Sequence, residues 1–175
     1  MHGRTDKRPV IYTLMKICQT LGETCLITSD RRYTRLTENG ANHGFYQNIS
    51  IFVTDETADS VWYEIEHTEA DFDFVLFDDK YDISADCFIY VEGAGEENDI
   101  EDLKEILGDK LNIIKLGFGK NSIPYSVNMF KAVEEIEYFK LLKPVDVRVS
   151  SEVSKILSPH VNMPVKNLLK VVARK

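Results

Sequence analysis

Short, almost wholly apolar runs alternate with amphipathic stretches along this chain, and that alternation most constrains its fold. Residues 24–28, 49–53, 72–77, 87–91 and 111–116 read as strands, and in the third of these only Asp73 interrupts the apolar run. Strands with both faces apolar are those of a parallel sheet covered by helices on each side. The helices lie between them. Val10, Ile11, Leu14, Met15, Ile17, Cys18 and Leu21 recur at helical spacing, with Pro9 suited to the first turn and Gly22 to the C-terminal cap. Ala58, Val61, Trp62 and Ile65 mark a second helix that Thr54 or Asp55 would cap. Ile100, Leu103, Ile106 and Leu107 mark a third, stopped by Gly108, and residues 127–142 a long fourth. Residues 38–47, with Gly40 and Gly44, read as a polar loop.

The pattern predicts a three-layer α/β domain over residues 1–143, its sheet mostly parallel with helices on both faces. Pro144 marks a change. Residues 145–149 read as a last edge strand, and 151–157 and 165–173 as two short helices packed on the domain within one globular unit. A length of 175 residues with 43% hydrophobic content suits a single domain with a substantial core. The net charge of −8 excludes a chain that binds nucleic acid or membrane through its whole surface. Positive charge is local, in Arg31, Arg32 and Arg35 and in Lys166, Lys170, Arg174 and Lys175. The last group leaves nucleic-acid binding through a basic C-terminal helix as an alternative to a plain helical pair. Cys18, Cys25 and Cys87 are three in number and lie in apolar surroundings, so they read as buried, reduced thiols of a cytoplasmic protein. No apolar run approaches the roughly 18 residues that a membrane span requires.

The chemistry concentrates at the start. Gly3-Arg4-Thr5-Asp6-Lys7-Arg8 precedes the first helix, where a phosphate loop would use glycines, a Lys and a Ser/Thr hydroxyl for Mg²⁺. Gly3 and Lys7 stand where such a loop wants them, whereas Asp6 replaces the second glycine and Arg8 the hydroxyl. Together with the strand at 24–28 leading into Asp30, and the strand at 72–77 leading into Asp78, this order resembles the deviant-Walker P-loop ATPases of the MinD/ParA class. The resemblance covers about residues 2–125. It implies nucleotide phosphates on Gly3, Lys7 and Arg8, a Mg²⁺ reached from Asp78 through a water, and an attacking water positioned by Asp30. The family begins with a central apolar strand, for which this chain offers Met1 and His2. A trimmed start, or a strand added by another chain, are the two ways to complete such a sheet.

Each candidate has a plain structural reading beside the functional one. Arg4, Lys7 and Arg8 also read as a solvated basic segment, Asp78-Asp79 as an acidic strand end, and Asp30-Arg31-Arg32 as a surface turn. Gly117-Phe118-Gly119-Lys120 is too short for a phosphate loop and reads as a tight turn. Residues 92–97 read as an acidic loop that would repel an anionic ligand. His2, His43, His67 and His160 lack metal-ligand spacing, and no Gly-x-Ser-x-Gly elbow is present. Cys25 and Cys87 in apolar strands make poor nucleophiles.

The expectation is a catalytically degenerate P-loop-like protein needing no cofactor. It would work as an assembly module that self-associates or docks on a protein partner. In relatives by resemblance, such roles belong to positioning, secretion, pilus or conjugation machinery. Two alternatives stand. One is an active switch using ATP or GTP with Mg²⁺ through Lys7, Asp78 and Asp30; the other is a DNA-linked adaptor using the C-terminal helices.

Overall fold

The computed structural model describes residues 1–80, 84–93, 97–117, 121–123 and 147–173. It is mixed α/β with mostly parallel strand pairing, and the chain divides into two compact units. Met1 and Met15–Ser84 form the first; His2–Leu14 and Ala85–Lys175 form the second.

In the first unit β1 (Thr24–Thr28), β2 (His43–Tyr46), β3 (Ile49–Val53) and β4 (Phe74–Asp78) form one sheet in the order β2-β3-β1-β4. β1 pairs in parallel with both β3 and β4, and β1 and β3 are buried along their whole length. That burial is why their sequences are mostly apolar rather than alternating, with Thr24, Thr28 and Ser50 buried among the apolar residues. β2 corrects the reading of 38–47 as a loop. It pairs antiparallel with β3 through a turn in which Gln47 takes a left-handed φ of 53°. Its side chains alternate between exposed and half-buried, so an edge strand of this kind carries no apolar run to betray it. Met1 also pairs here: its amino nitrogen donates to the Phe77 carbonyl and its own carbonyl accepts from Asp79 N–H at 2.9 Å.

α2 (Val61–Ile65) covers part of this sheet. Val61 and Ile65 pack with Cys25, Ile27 and Phe52, flanked by Trp62, Phe72, Val75 and Phe77. Trp62 meets Phe77 edge-on at 6.2 Å. Burying Ile27, Phe52, Val61 or Ile65 fully is worth about 1.5–3 kcal/mol each. The cap expected from Thr54 or Asp55 is not formed. Ser60 is the N-cap residue and makes no side-chain cap bond, while the Thr54 hydroxyl is turned to the Glu64 carboxylate. The Thr54 oxygen also accepts the Glu56 N–H at 3.1 Å, so it closes a turn ahead of the helix, which begins only at Val61.

α1 (Arg8–Leu21) is buried on every face from Arg8 to Gln19. Gly22 follows it without a positive φ, so it is not a left-handed cap. A Cβ there would lie 2.2 Å from the Asp73 carboxylate, which accepts the Glu23 N–H at 2.9 Å. The glycine makes room for the one polar residue of the 72–77 run.

In the second unit β5 (Phe88–Glu92) and β6 (Leu111–Lys115) pair in parallel, and His2 forms a parallel bridge to Tyr90. Thus the two residues standing where the resembled family has its central strand are each hydrogen-bonded to a strand. α3 (Glu97–Leu107) precedes β6, and α4 (Val147–Leu157) contacts both β6 and α5 (Val165–Ala173). The edge strand expected at 145–149 is corrected over its described part, since Val147–Val149 open α4. Val149, Val153 and Leu157 recur every four residues and are buried, so helical period overrides the local V-x-V alternation. The helix read at 127–142 lies outside the described residues. No helix among the described residues is long and apolar enough to cross a membrane.

Candidate functional site

Gly3, Lys7 and Arg8 belong to the second unit, Asp30 and Asp78 to the first. Each constellation has its own geometry. In the second unit His2 donates to the Ile89 carbonyl at 3.0 Å, accepts from Val91 N–H at 2.9 Å, and so lays Gly3 against β5. Gly3 has φ 130°, and a Cβ on it would come within 2.2 Å of the Val91 carbonyl oxygen. A glycine is required there to let two backbones approach, whatever the loop binds. The Lys7 ammonium turns back to the Gly3 carbonyl at 3.4 Å, and Arg4 pairs with Asp99 at 2.8 Å on the surface.

Asp6 is the decisive residue of the loop. Its carboxylate accepts the backbone N–H of Arg8, the first residue of α1, at 3.2 Å. It also holds the Arg8 guanidinium at both oxygens, with Nε 2.9 Å from Oδ1 and 3.0 Å from Oδ2. Both side chains are 8% exposed. A helix N-terminus presents unsatisfied N–H groups and partial positive charge, which is why phosphates bind there. Here a carboxylate of the chain itself accepts that N–H.

The same local device recurs in the first unit. Asp30 accepts the Arg32 N–H at 2.9 Å and holds its guanidinium with Nε at 2.8 and 2.9 Å. It thereby caps the 3₁₀ turn Arg31–Leu36. In both places Asp-x-Arg closes a turn on itself, with the carboxylate serving a main-chain donor and a fork of side-chain donors together. Asp30 and Asp78 are joined through one hydroxyl. Thr28 Oγ1, at the carboxyl end of β1, donates to Asp78 Oδ2 at 3.0 Å and accepts the Asp30 N–H at 3.0 Å. Asp78 ends β4 and is 2% exposed.

Two residues of this region lack a strong sequence signal. Thr28 is a plain strand residue. Lys80 is a lone cation after two acidic ones, and it lies buried, donating to the Thr54 carbonyl at 2.9 Å and to the Glu56 carbonyl. Desolvation lowers its pKa, opposed by the charges of Asp55, Glu64, Glu56 and Asp78.

The remaining candidates fall into place individually. Cys18 and Cys25 are buried free thiols; burial pushes Cys18 up to about 12 and Cys25 higher still. Cys87 precedes β5 rather than lying in it, is half-buried, and has its pKa raised by desolvation against a hydrogen bond from Asn112. Glu92 ends β5 paired with Lys115 at 2.8 Å, which offsets one charge of the acidic segment expected at 92–97; residues 94–96 lie outside the described ones. Gly117 donates to the Ile123 carbonyl at 2.9 Å, while 118–120 lie outside the described residues. Lys166 and Lys170 are exposed on α5, whose Leu168 and Val172 are buried. Arg174 and Lys175 lie outside the described residues. Among the described residues no three His, Cys, Asp or Glu side chains gather closely enough to hold a metal ion.

No protein-family model and no curated protein matches the sequence. Among solved structures the chain is similar to the MinD cell division protein of Aquifex aeolicus. The two share 12% identity at a TM-score of 0.45, over 96% of this chain and 90% of that one.

Proposed function

We propose that this chain is a catalytically degenerate P-loop-like protein of the MinD/ParA type, working as a cytoplasmic binding or assembly module rather than as an ATPase. The single observation that carries the reading is the Asp6–Arg8 pair at the head of α1. A nucleotide phosphate placed there would have to displace a carboxylate from its N–H and from a buried guanidinium, and would meet negative charge besides. Arg8 also stands where a Mg²⁺-binding hydroxyl belongs, and a guanidinium offers no lone pair to a metal. The residues present therefore do not fit a Mg²⁺–nucleotide pair, and no catalytic step is drawn through one. What remains for such a fold is its surfaces. β2 is an edge of the first unit's sheet, and Phe45 on it is 72% exposed, which suits a protein partner or a second copy.

The test is turnover. Purified protein is expected to hydrolyse neither ATP nor GTP above background with Mg²⁺ present. Turnover that disappears in Lys7→Ala would overturn the pseudoenzyme reading in favour of an active switch.

A further inference from the structure

Lys80 is a buried ammonium with well-defined partners. It lies two residues beyond β4, after Asp79, whose backbone turns left-handed at φ 56°. Its side chain reaches the segment between β3 and α2, where Nζ donates to the carbonyls of Thr54 and Glu56. That segment is itself a chain of short hydrogen bonds. Thr54 Oγ1 accepts the Glu56 N–H at 3.1 Å, Ser60 Oγ donates to Glu56 Oε2 at 2.7 Å, and Ser60 Oγ accepts the Thr57 N–H at 3.1 Å. Asp55 also meets Arg31 at 3.7 Å, on the surface. The negative charges acting on Lys80 are those of Asp55, Glu64, Glu56 and Asp78.

Main-chain carbonyls ringed by carboxylates are the surroundings that hard cations choose. An ammonium is a compact point charge with several donors, able to meet the same oxygens. In open parallel sheets this carboxyl end of the strands is where ligands bind. We propose that Lys80 is a built-in cation there: beside Asp78, where the resemblance would put a metal, its ammonium holds the β3–α2 segment in one conformation with no ligand. The segment is thereby pinned rather than switched. This lock stands on the hydrogen bonds of one side chain and does not depend on the assembly role.

Hydrogen exchange of the full-length protein tests it. Lys80→Met keeps the stem and removes the charge, and Lys80→Arg keeps the charge. Exchange at the amides of Glu56, Thr57, Ser60 and Val61 is expected to speed up about tenfold or more in Lys80→Met and much less in Lys80→Arg, with β1 and β3 unchanged. Wild-type protection in Lys80→Met would overturn the lock. A second measurement needs no variant. In lysine-selective ¹⁵N spectra of the unaltered chain, the Lys80 ammonium signal is expected to be unmoved by millimolar Mg²⁺. Its displacement by Mg²⁺ would overturn the proposal by making this a metal site that a lysine merely occupies.

Discussion

Replacing Asp6 with alanine is expected to cost about 3–5 kcal/mol of folding stability, the usual consequence of removing one partner of a buried ion pair. The cost comes less from the lost attraction than from what is left behind. Arg8 is 6% exposed, and its guanidinium would lose the carboxylate that meets two of its nitrogens, while its N–H at the helix start would lose its acceptor. Replacing both residues together, Asp6→Leu with Arg8→Met, is expected to be far milder, because neither charge of the pair is then left buried without the other. Urea unfolding of the two single variants and the double variant measures the coupling directly. A single-variant loss under about 1 kcal/mol would mean that the pair behaves like a solvated surface bridge. Asp6 would then be no obstacle to an incoming anion.

The second large effect has the opposite sign. Lys16 lies within α1 with 5% of its surface exposed, and no described residue hydrogen-bonds its ammonium. Burial lowers its pKa from 10.5 to about 8. Below pH 8 the folded state must carry the proton at a desolvation cost that the unfolded chain does not bear. Between pH 8 and 10.5 the unfolded chain holds the proton that the folded chain has released, so stability rises with pH across that window. The cost at neutral pH amounts to about 3 kcal/mol. Lys16→Met, which keeps the length and removes the charge, is therefore expected to stabilise the protein by about that much at pH 7. The gain should shrink below about 1 kcal/mol near pH 10, where the lysine is neutral in the folded protein and the unfolded chain, at pKa 10.5, gains only a little more from still holding its proton. Paired urea titrations at the two pH values read this out. A variant less stable than the parent at pH 7, or a gain that ignores pH, would show that the ammonium is not held dry.

Where the sequence was legible, burial made it so. β1 and β3 are buried on both faces, and their bounds, Thr24–Thr28 and Ile49–Val53, coincide with the apolar runs. α1 ended where its periodicity ended. The hairpin strand β2 was illegible because His43, Gly44, Phe45 and Tyr46 share no apolar face and owe their conformation to pairing with β3. The start of α4 misled for a related reason: three valines at alternate positions satisfy a strand template, and only the burial of Val149, Val153 and Leu157 together reveals the helix.

The candidate site was legible by type and not by arrangement. Asp6 stood out as a residue foreign to a phosphate loop. Its ion pair with Arg8 was not legible there, because Arg8 reads as part of a solvated basic segment; the structure shows the same Asp-x-Arg spacing at 6–8 and 30–32 closing on itself both times. The link from Asp30 to Asp78 through Thr28 depends on the parallel register that sets Thr28 opposite Asp78, which a pattern of single residues does not encode. Lys80 shares that difficulty, because its partners lie 26 and 24 residues back in the sequence.

The central claim, that the head of α1 is closed to nucleotide by the chain's own carboxylate, is tested most directly by thermal shift with ATP and GTP, each with and without Mg²⁺. A ligand that binds only the native state at a hundred times its Kd adds about 2.7 kcal/mol and must raise the melting temperature. The expected result is an unchanged melting temperature up to millimolar nucleotide, with or without the metal. A Mg²⁺-dependent rise that is lost in Asp78→Ala would contradict it and make this chain a nucleotide switch.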